Sequence, residues 1–145
     1  MSAPTAGGAD RDRRLVANFD GGARGNPGPA AIAAVVSTAA GEVLEERGEA
    51  IGLATNNVAE YRALLLAIER ARGLGAVEVE LIGDSELIVR QVRGEYRVKD
   101  PGLRPLHAAA REALGALERW SIRNVPRAEN AAADALVNAT LDAQG

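Results

Sequence analysis

Short apolar runs, separated by glycine and polar turns, dominate the first third of the chain and return in its second half. Their length and their alternation of apolar with polar positions are typical of strands. The first run ends at Asp20, and the stretch GGARGNPGP after it predicts a loop whose backbone can approach a ligand. The predicted strands cover residues 15–19, 30–37, 42–49, 77–82 and 120–125.

Helical spacing begins after the third run. Leu64, Ile68 and Ala71 recur on one side of a segment that starts at residues 55–57 and stops before the glycines at 73 and 75. Weaker patterns predict helices over residues 87–92, 103–118 and 130–142. The order β-β-β-α-β-α-α-β-α predicts an α/β fold, in which three antiparallel strands and then α/β crossovers form a mixed five-stranded sheet with helices packed on it.

The length of 145 residues predicts one domain, which we place at residues 14–143. Residues 1–13 are small, polar and charged without periodicity, which predicts a disordered tail. The chain has no cysteine, no apolar run of membrane-spanning length and no signal-peptide core. We therefore expect a cytoplasmic protein without membrane contact, and a monomer by default.

The formal net charge of −3 does not exclude a nucleic-acid partner. Four carboxylates that bound metal ions would leave +1 on the remaining residues, and the ions would reverse the local charge. Every basic residue except Lys99 is arginine, a side chain that makes bidentate phosphate contacts. Genome composition is the simpler explanation of the arginine content.

Two aspartates follow predicted strands. Asp20 precedes glycines, a pattern that is also typical of an ordinary hairpin turn. Asp84 lies between the fourth strand and a helix, where Asp84 or Ser85 could simply be the N-cap. Either residue therefore has a structural explanation as well as a functional one.

Two further acids lie in first turns of predicted helices. Glu60 is on the helix face that should meet the sheet, although a capping box with Asn57 would also explain it. Asp134 lies beside the apolar face of the last helix, where the helix dipole favours an acid.

The predicted positions of these four acids are consistent with a single site. Strand ends and helix starts meet at one edge of such a sheet, and four carboxylates there would repel each other unless cations lay between them. Oxygen ligands without His or Cys favour Mg²⁺ or Mn²⁺ over zinc. The sequence therefore predicts a metal site formed by Asp20, Glu60, Asp84 and Asp134.

Four motifs, in order, resemble those of type 1 ribonuclease H: DGGARGNPGP, TNNVAEYRALLLAI, GDSELIVRQV and RAENAAADALVNA. The resemblance extends over residues 15–141 and implies the ribonuclease H-like fold. It implies that Asp20, Glu60, Asp84 and Asp134 are catalytic and bind two Mg²⁺ or Mn²⁺ ions. It also implies hydrolysis of the RNA strand of RNA/DNA hybrids to 3′-hydroxyl and 5′-phosphate products, without base-sequence specificity.

The same resemblance implies a set of substrate-binding residues. Asn26 and Asn57 would read RNA 2′-hydroxyls, and Thr55 and Asn56 would lie near a DNA phosphate. Turn formation at Asn26 and helix capping at 55–57 are the structural alternatives. The implied set is Gly21, Asn26, Thr55, Asn56, Asn57, Ser85, Arg127 and Asn130.

The chain departs from the family pattern at two places. The stretch before Asp134 lacks the family's mobile histidine, and Arg127 is a hypothetical substitute because of its position. His107, in another helix, is expected to be a surface or packing residue. A short basic loop over residues 94–101 replaces the long basic protrusion, which predicts weak hybrid binding with steep salt dependence.

The sequence leaves three hypotheses about function open. The first is a nuclease acting on RNA/DNA hybrids, and the second is one that also cuts double-stranded RNA. The third is a non-catalytic hybrid-binding domain, which four acids facing a polyanion argue against. A C-terminal domain fused to this one in a longer protein is a further expectation from actinobacterial members of the family.

Overall fold

A computed structural model describes residues 13–144 of the chain. The predicted tail lies outside the described residues except for Arg13, whose backbone carbonyl accepts hydrogen bonds from the amides of Val77 and Glu78. The strands are β1 (Arg14–Ala23), β2 (Gly28–Thr38), β3 (Val43–Ala54), β4 (Glu78–Gly83) and β5 (Arg119–Asn124). The helices are α1 (Asn56–Gly73), α2 (Glu86–Val92), α3 (Arg104–Gly115) and α4 (Ala131–Gln144), with a 3-10 helix at Arg127–Asn130.

The five strands form one mixed sheet in the order β3-β2-β1-β4-β5. β1, β2 and β3 pair antiparallel, whereas β4 is parallel to both β1 and β5. This arrangement confirms the predicted mixed sheet and element order. It also makes β1 and β4 neighbours that run in the same direction, so their carboxyl ends meet at one edge.

Both faces of β2 are buried, which explains its nearly continuous apolar sequence. On one face, side chains such as Ile32 and Val36 join the main core with α1, α2 and α3. On the other face, Ala31, Ala33 and Val35 pack against apolar residues of α4. Helices therefore cover both faces of the sheet at β2, and α4 is held beside β1.

The start of β1 is as predicted, but its end is not. The prediction put Asp20 at the end of the strand and gave Gly21 and Gly22 to a loop, whereas the observed strand continues to Ala23. A side chain at Gly21 would collide with the backbone carbonyl of Ala59 in α1. Because residue 21 is a glycine, the first turn of α1 can pack directly against β1.

Gly21→Ala should destabilise the protein by about 3 kcal/mol or more, because the new Cβ would overlap backbone that cannot move without displacing α1. Gly22→Ala is the matched control, since the nearest atom to its Cβ would be 3.8 Å away. We expect the control to change stability by less than about 1 kcal/mol. Chemical denaturation of both variants measures the difference, and equal stabilities would contradict the packing role of Gly21.

Smaller predictions can also be compared with the structure. The last helix was predicted from Asn130, but a 3-10 turn at Arg127–Asn130 precedes α4. His107 is a packing residue, as expected: it is half-buried, and its Nε2 lies 3.0 Å from the carbonyl oxygen of Gln91. Across residues 13–144, no helix is both long and apolar enough to cross a membrane.

Candidate metal centre

Three of the four predicted acids meet at the edge where β1 and β4 end. Carboxylate oxygens of Asp20, Glu60 and Asp84 all lie within 4.8 Å of one another. Asp20 is buried within β1, Asp84 directly follows β4, and Glu60 lies near the start of α1. Three carboxylates at this spacing offer a set of oxygen donors that suits a divalent cation.

Local packing explains the convergence. The β1–β4 register pairs Asn18 with Ile82, and two residues further on it brings Asp20 level with Asp84. Gly21 lets α1 approach β1, which carries Glu60 toward the same point. The capping box predicted as the alternative for Glu60 is wrong, because Thr55, rather than Asn57, is the N-cap of α1. Beside the other acid, Ser85 is the N-cap of α2, so the side chain of Asp84 is not used as a cap.

Burial and mutual repulsion disfavour the charged forms of two of these carboxylates. The pKa of Asp20 is raised to about 8, first by burial and then by the negative charges of Asp84, Glu60 and Asp134. The pKa of Glu60 is raised to about 7 by burial and by Asp84, against a hydrogen bond from Ser85 and the charge of Arg127. A bound cation would reverse this balance, because it stabilises the deprotonated forms.

Asp134 stands slightly apart from the other three acids. It is not in the 4.8 Å cluster, but it borders the same cleft of about 350 Å³ and contributes to the raised pKa of Asp20. Its Oδ2 accepts a hydrogen bond of 3.4 Å from Nδ2 of Asn138, one helical turn later. The structure thus brings three predicted ligands within 4.8 Å of one another and places the fourth beside Asp20 in the same cleft.

Asn130 has a different position from the one expected of a substrate-binding residue. It is buried, and its Nδ2 donates to the carbonyl of Phe19 at 2.9 Å and to Oδ2 of Asp84 at 3.2 Å. Its Oδ1 accepts a hydrogen bond of 3.0 Å from Nδ2 of Asn18. Because the whole amide is engaged inside the protein, Asn130 orients Asp84 rather than facing a ligand.

Asn130→Ala should weaken divalent-metal binding by about 10–100-fold, because Asp84 would lose the donor that fixes its orientation. It should also cost about 2 kcal/mol of stability, since the Phe19 carbonyl and the Asn18 amide lose their partner. Metal titrations well below the melting temperature separate the two effects. Asn124→Ala, at an exposed asparagine of β5, is the control; an equal loss of metal affinity in that control would contradict the orienting role.

The loop asparagines lie where the prediction put them, but two of them also hold the loops together. The backbone amide of Asn56 donates to Oδ1 of Asn26 at 3.0 Å, and Oδ1 of Asn56 accepts from the amide of Ala23 at 2.8 Å. Thr55 accepts a capping bond from the amide of Val58. Helix capping is therefore confirmed for Thr55 alone, while Asn26 and Asn56 connect the loops, and a substrate role for any of them stays a prediction.

Arg127 and Ser85 lie beside the acids. Arg127 is exposed, lines the cleft and acts electrostatically on Glu60, which agrees with its predicted position near the reacting groups. Ser85 contacts Glu60 while capping α2. Their predicted roles toward a substrate stay predictions.

A second groove of about 470 Å³ begins on the other side of the α1 start. Asn57, Tyr96, Arg97 and Lys99 line it, together with Leu87. Other basic residues near this loop are already paired: Arg90 with Glu86 and Glu95, and Arg93 with Glu95. The free cationic surface of the predicted basic loop is thus smaller than its composition suggests.

Sequence reasoning missed three polar residues of this region. Asn18 shares a strand face with Asp20, so the period-two pattern already placed it near the site. Asn138 lies one helical turn after Asp134, a spacing that could have pointed to it. Arg24 lines the cleft from the end of β1, and only the tertiary structure shows this.

Comparisons with known proteins agree with this geometry. The family model described as "Reverse transcriptase-like" matches residues 18–140. The chain is 49% identical over 133 residues to ribonuclease HI of Halobacterium salinarum, covering 92% of this chain and 67% of that protein. The crystal structure of RNase H1 from that archaeon is similar with a TM-score of 0.87, covering 89% of this chain and 98% of that one.

Two further relatives extend the comparison. A bifunctional protein of Mycobacterium tuberculosis is 47% identical over 131 residues, which is 90% of this chain but only 36% of that protein. LC11-RNase H1, solved in complex with an RNA/DNA hybrid, is 42% identical with a TM-score of 0.86 and covers 90% of this chain and 98% of that one. The chain therefore spans about a third of the mycobacterial protein and two thirds of the archaeal one.

Proposed function

The chain belongs to the ribonuclease HI family, and on that basis we propose that it is a metal-dependent endonuclease that hydrolyses the RNA strand of RNA/DNA hybrids. The observation that carries the proposal is the cluster of Asp20, Glu60 and Asp84, with carboxylate oxygens within 4.8 Å. A cleft lined by acids binds a polyanion poorly unless cations neutralise it. Divalent ions held by these residues and Asp134 would make the cleft a phosphate site.

The donor set fits such ions. Every candidate ligand is a carboxylate, and the pKa values of Asp20 and Glu60 are raised in a way that a bound cation would reverse. Bound divalent ions would activate water and stabilise the charge that develops at the scissile phosphate. Two ions per site, either Mg²⁺ or Mn²⁺, match a set of four acids without nitrogen or sulfur donors.

The residues of this chain would position the substrate for in-line attack. A water oxygen would form the new bond to phosphorus while the bond to the 3′ oxygen breaks. That oxygen would leave with a proton, giving a 3′-hydroxyl and a 5′-phosphate. Asn130 would keep Asp84 oriented during the reaction, and Arg127 would add positive charge at the cleft.

A duplex substrate would use both depressions beside the start of α1. The acidic cleft includes Asn56, and the 470 Å³ groove includes the next residue, Asn57. One strand would cross the acids while the other follows the groove with Arg97 and Lys99. Contacts to backbone and sugar would make recognition independent of base sequence.

The test is cleavage of one labelled RNA strand presented as a hybrid with DNA, as an RNA duplex and as a single strand, with Mg²⁺ or Mn²⁺. We expect cutting of the hybrid that stops when EDTA removes the metal. Fast cutting of the RNA duplex would extend the substrate range to double-stranded RNA. Hybrid binding without cutting under either metal would refute the nuclease and favour a binding domain.

A further inference from the structure

Arg24 occupies the rim of the acidic cleft and belongs to neither the metal ligands nor the predicted substrate set. It follows the last residue of β1 and lines the cleft with Asp20 and Asp134. Its Nη2 lies 2.7 Å from Oδ1 of Asp142 and donates to the carbonyl of Asn138 at 3.4 Å. An arginine here places a cation beside the path that a phosphate backbone would take.

The two partners of Arg24, the Asn138 carbonyl and the Asp142 carboxylate, belong to α4, which also carries Asp134. Asp134, Asn138 and Asp142 are spaced by four residues and therefore share one helix face. At a rise of about 1.5 Å per residue, Asp142 lies roughly 12 Å along the helix from Asp134. The guanidinium is thus held beyond the acids, at the Asn138 carbonyl and the Asp142 carboxylate.

The backbone at this position is fixed by hydrogen bonds, whereas the side chain is held only by contacts that solvent reaches. The amide of Arg24 donates to the carbonyl of Pro29 at 2.8 Å, and the preceding amide donates to Asn56. The side chains of Arg24 and Asp142 are 49% and 69% exposed. An exposed ion pair contributes about 0–1 kcal/mol, so a phosphate oxygen can replace the Asp142 carboxylate as partner.

We propose that Arg24 binds a backbone phosphate of the RNA strand beyond the scissile phosphate, and that Asp142 competes with this phosphate for the guanidinium. The proposal rests on the proposed function, because it takes the cleft to be the RNA path. Arginine suits this role, since its planar fork can contact two phosphate oxygens at once. The ion pair with Asp142 would orient the Arg24 guanidinium before the substrate binds, and it would lower the affinity for the phosphate.

The experiment measures hybrid binding in an Asp84→Asn background and cleavage in the wild-type background, across a range of salt concentrations. Arg24→Gln should raise Kd and KM about 3–10-fold at low salt and leave kcat within about two-fold. The slope of log K against log salt should fall by about 0.7–0.9, the loss of one phosphate contact. Asp142→Asn should tighten binding about two- to three-fold, and the double variant should bind like Arg24→Gln.

Arg119→Gln is the matched control, because it removes the same charge from an exposed arginine of β5 that is paired with Glu78. Equal effects of the two arginine variants would overturn the assignment and leave only a general charge effect. Tighter binding by Asp142→Asn that persists in the Arg24→Gln background would overturn the competition. Failure of the wild-type protein to bind or cut the hybrid would instead remove the proposed function itself.

Discussion

Asp84→Asn should lower kcat for hybrid cleavage on the order of 1000-fold or more, the largest effect we expect from a single substitution on activity. The change removes one of the clustered carboxylates but keeps the size and shape of the side chain. The local fold should survive, because Ser85 rather than Asp84 caps α2, and the new amide oxygen can still accept from Asn130. Single-turnover cleavage of a labelled hybrid measures the loss.

Hybrid binding should be retained or slightly tighter in this variant, since one negative charge facing a polyanion is gone. Glu112→Gln, at an exposed position of α3, removes a carboxylate far from the cleft and should cleave like the wild-type protein. Thermal unfolding checks that both variants are folded. A kcat within ten-fold of the wild type would contradict the assignment of Asp84 as a catalytic metal ligand.

The predictable part of this site follows from strand order. Once β1 and β4 are read as parallel neighbours, Asp20 and Asp84 must lie at one edge of the sheet, because parallel strands end together. Helical periodicity then turns Glu60 toward the sheet. These are short-range patterns with direct three-dimensional consequences, and they suffice to place three carboxylates within reach of one another.

The parts that sequence reasoning missed depend on contacts between distant segments. Gly21 has the local pattern of a turn, yet its lack of a side chain serves a helix almost forty residues later. Asn130 has the sequence pattern of a residue at a helix start, but its amide is buried by contacts with β1 and Asp84. No local propensity distinguishes these roles, since they are decided by which groups face each residue after the chain has folded.

Without divalent metal, the free energy of unfolding should fall as the pH rises from about 4 to 8. Asp20 has a folded-state pKa of about 8 against an ordinary value of 3.8, and Glu60 one of about 7 against 4.5. The folded protein therefore holds more protons than the unfolded chain across this window. Stability from these groups is fully present below the unfolded pKa values and is lost as the pH rises through the folded ones.

Asp20→Asn should flatten this dependence, because the amide cannot ionise next to Glu60 and Asp84. At pH 8 without metal, the variant should be more stable than the wild type by on the order of 2 kcal/mol, and at pH 4 the two should be similar. Chemical denaturation at several pH values in EDTA measures both proteins, with Asp100→Asn as an exposed control. Taking differences from the wild type cancels the titrating groups that do not interact with Asp20.

Adding Mg²⁺ at pH 8 should then stabilise the wild type and leave Asp20→Asn nearly unchanged. A ligand at 100 times its Kd adds about 2.7 kcal/mol to the folded state, so metal binding can recover the stability that deprotonation removes. Mg²⁺ should stabilise the variant less, because the variant lacks the Asp20 carboxylate of the metal-binding cluster. Equal stabilisation of both proteins by Mg²⁺ would show that the ion binds elsewhere. A wild-type stability that is flat from pH 4 to 8 in EDTA would show that repulsion among the carboxylates does not oppose folding.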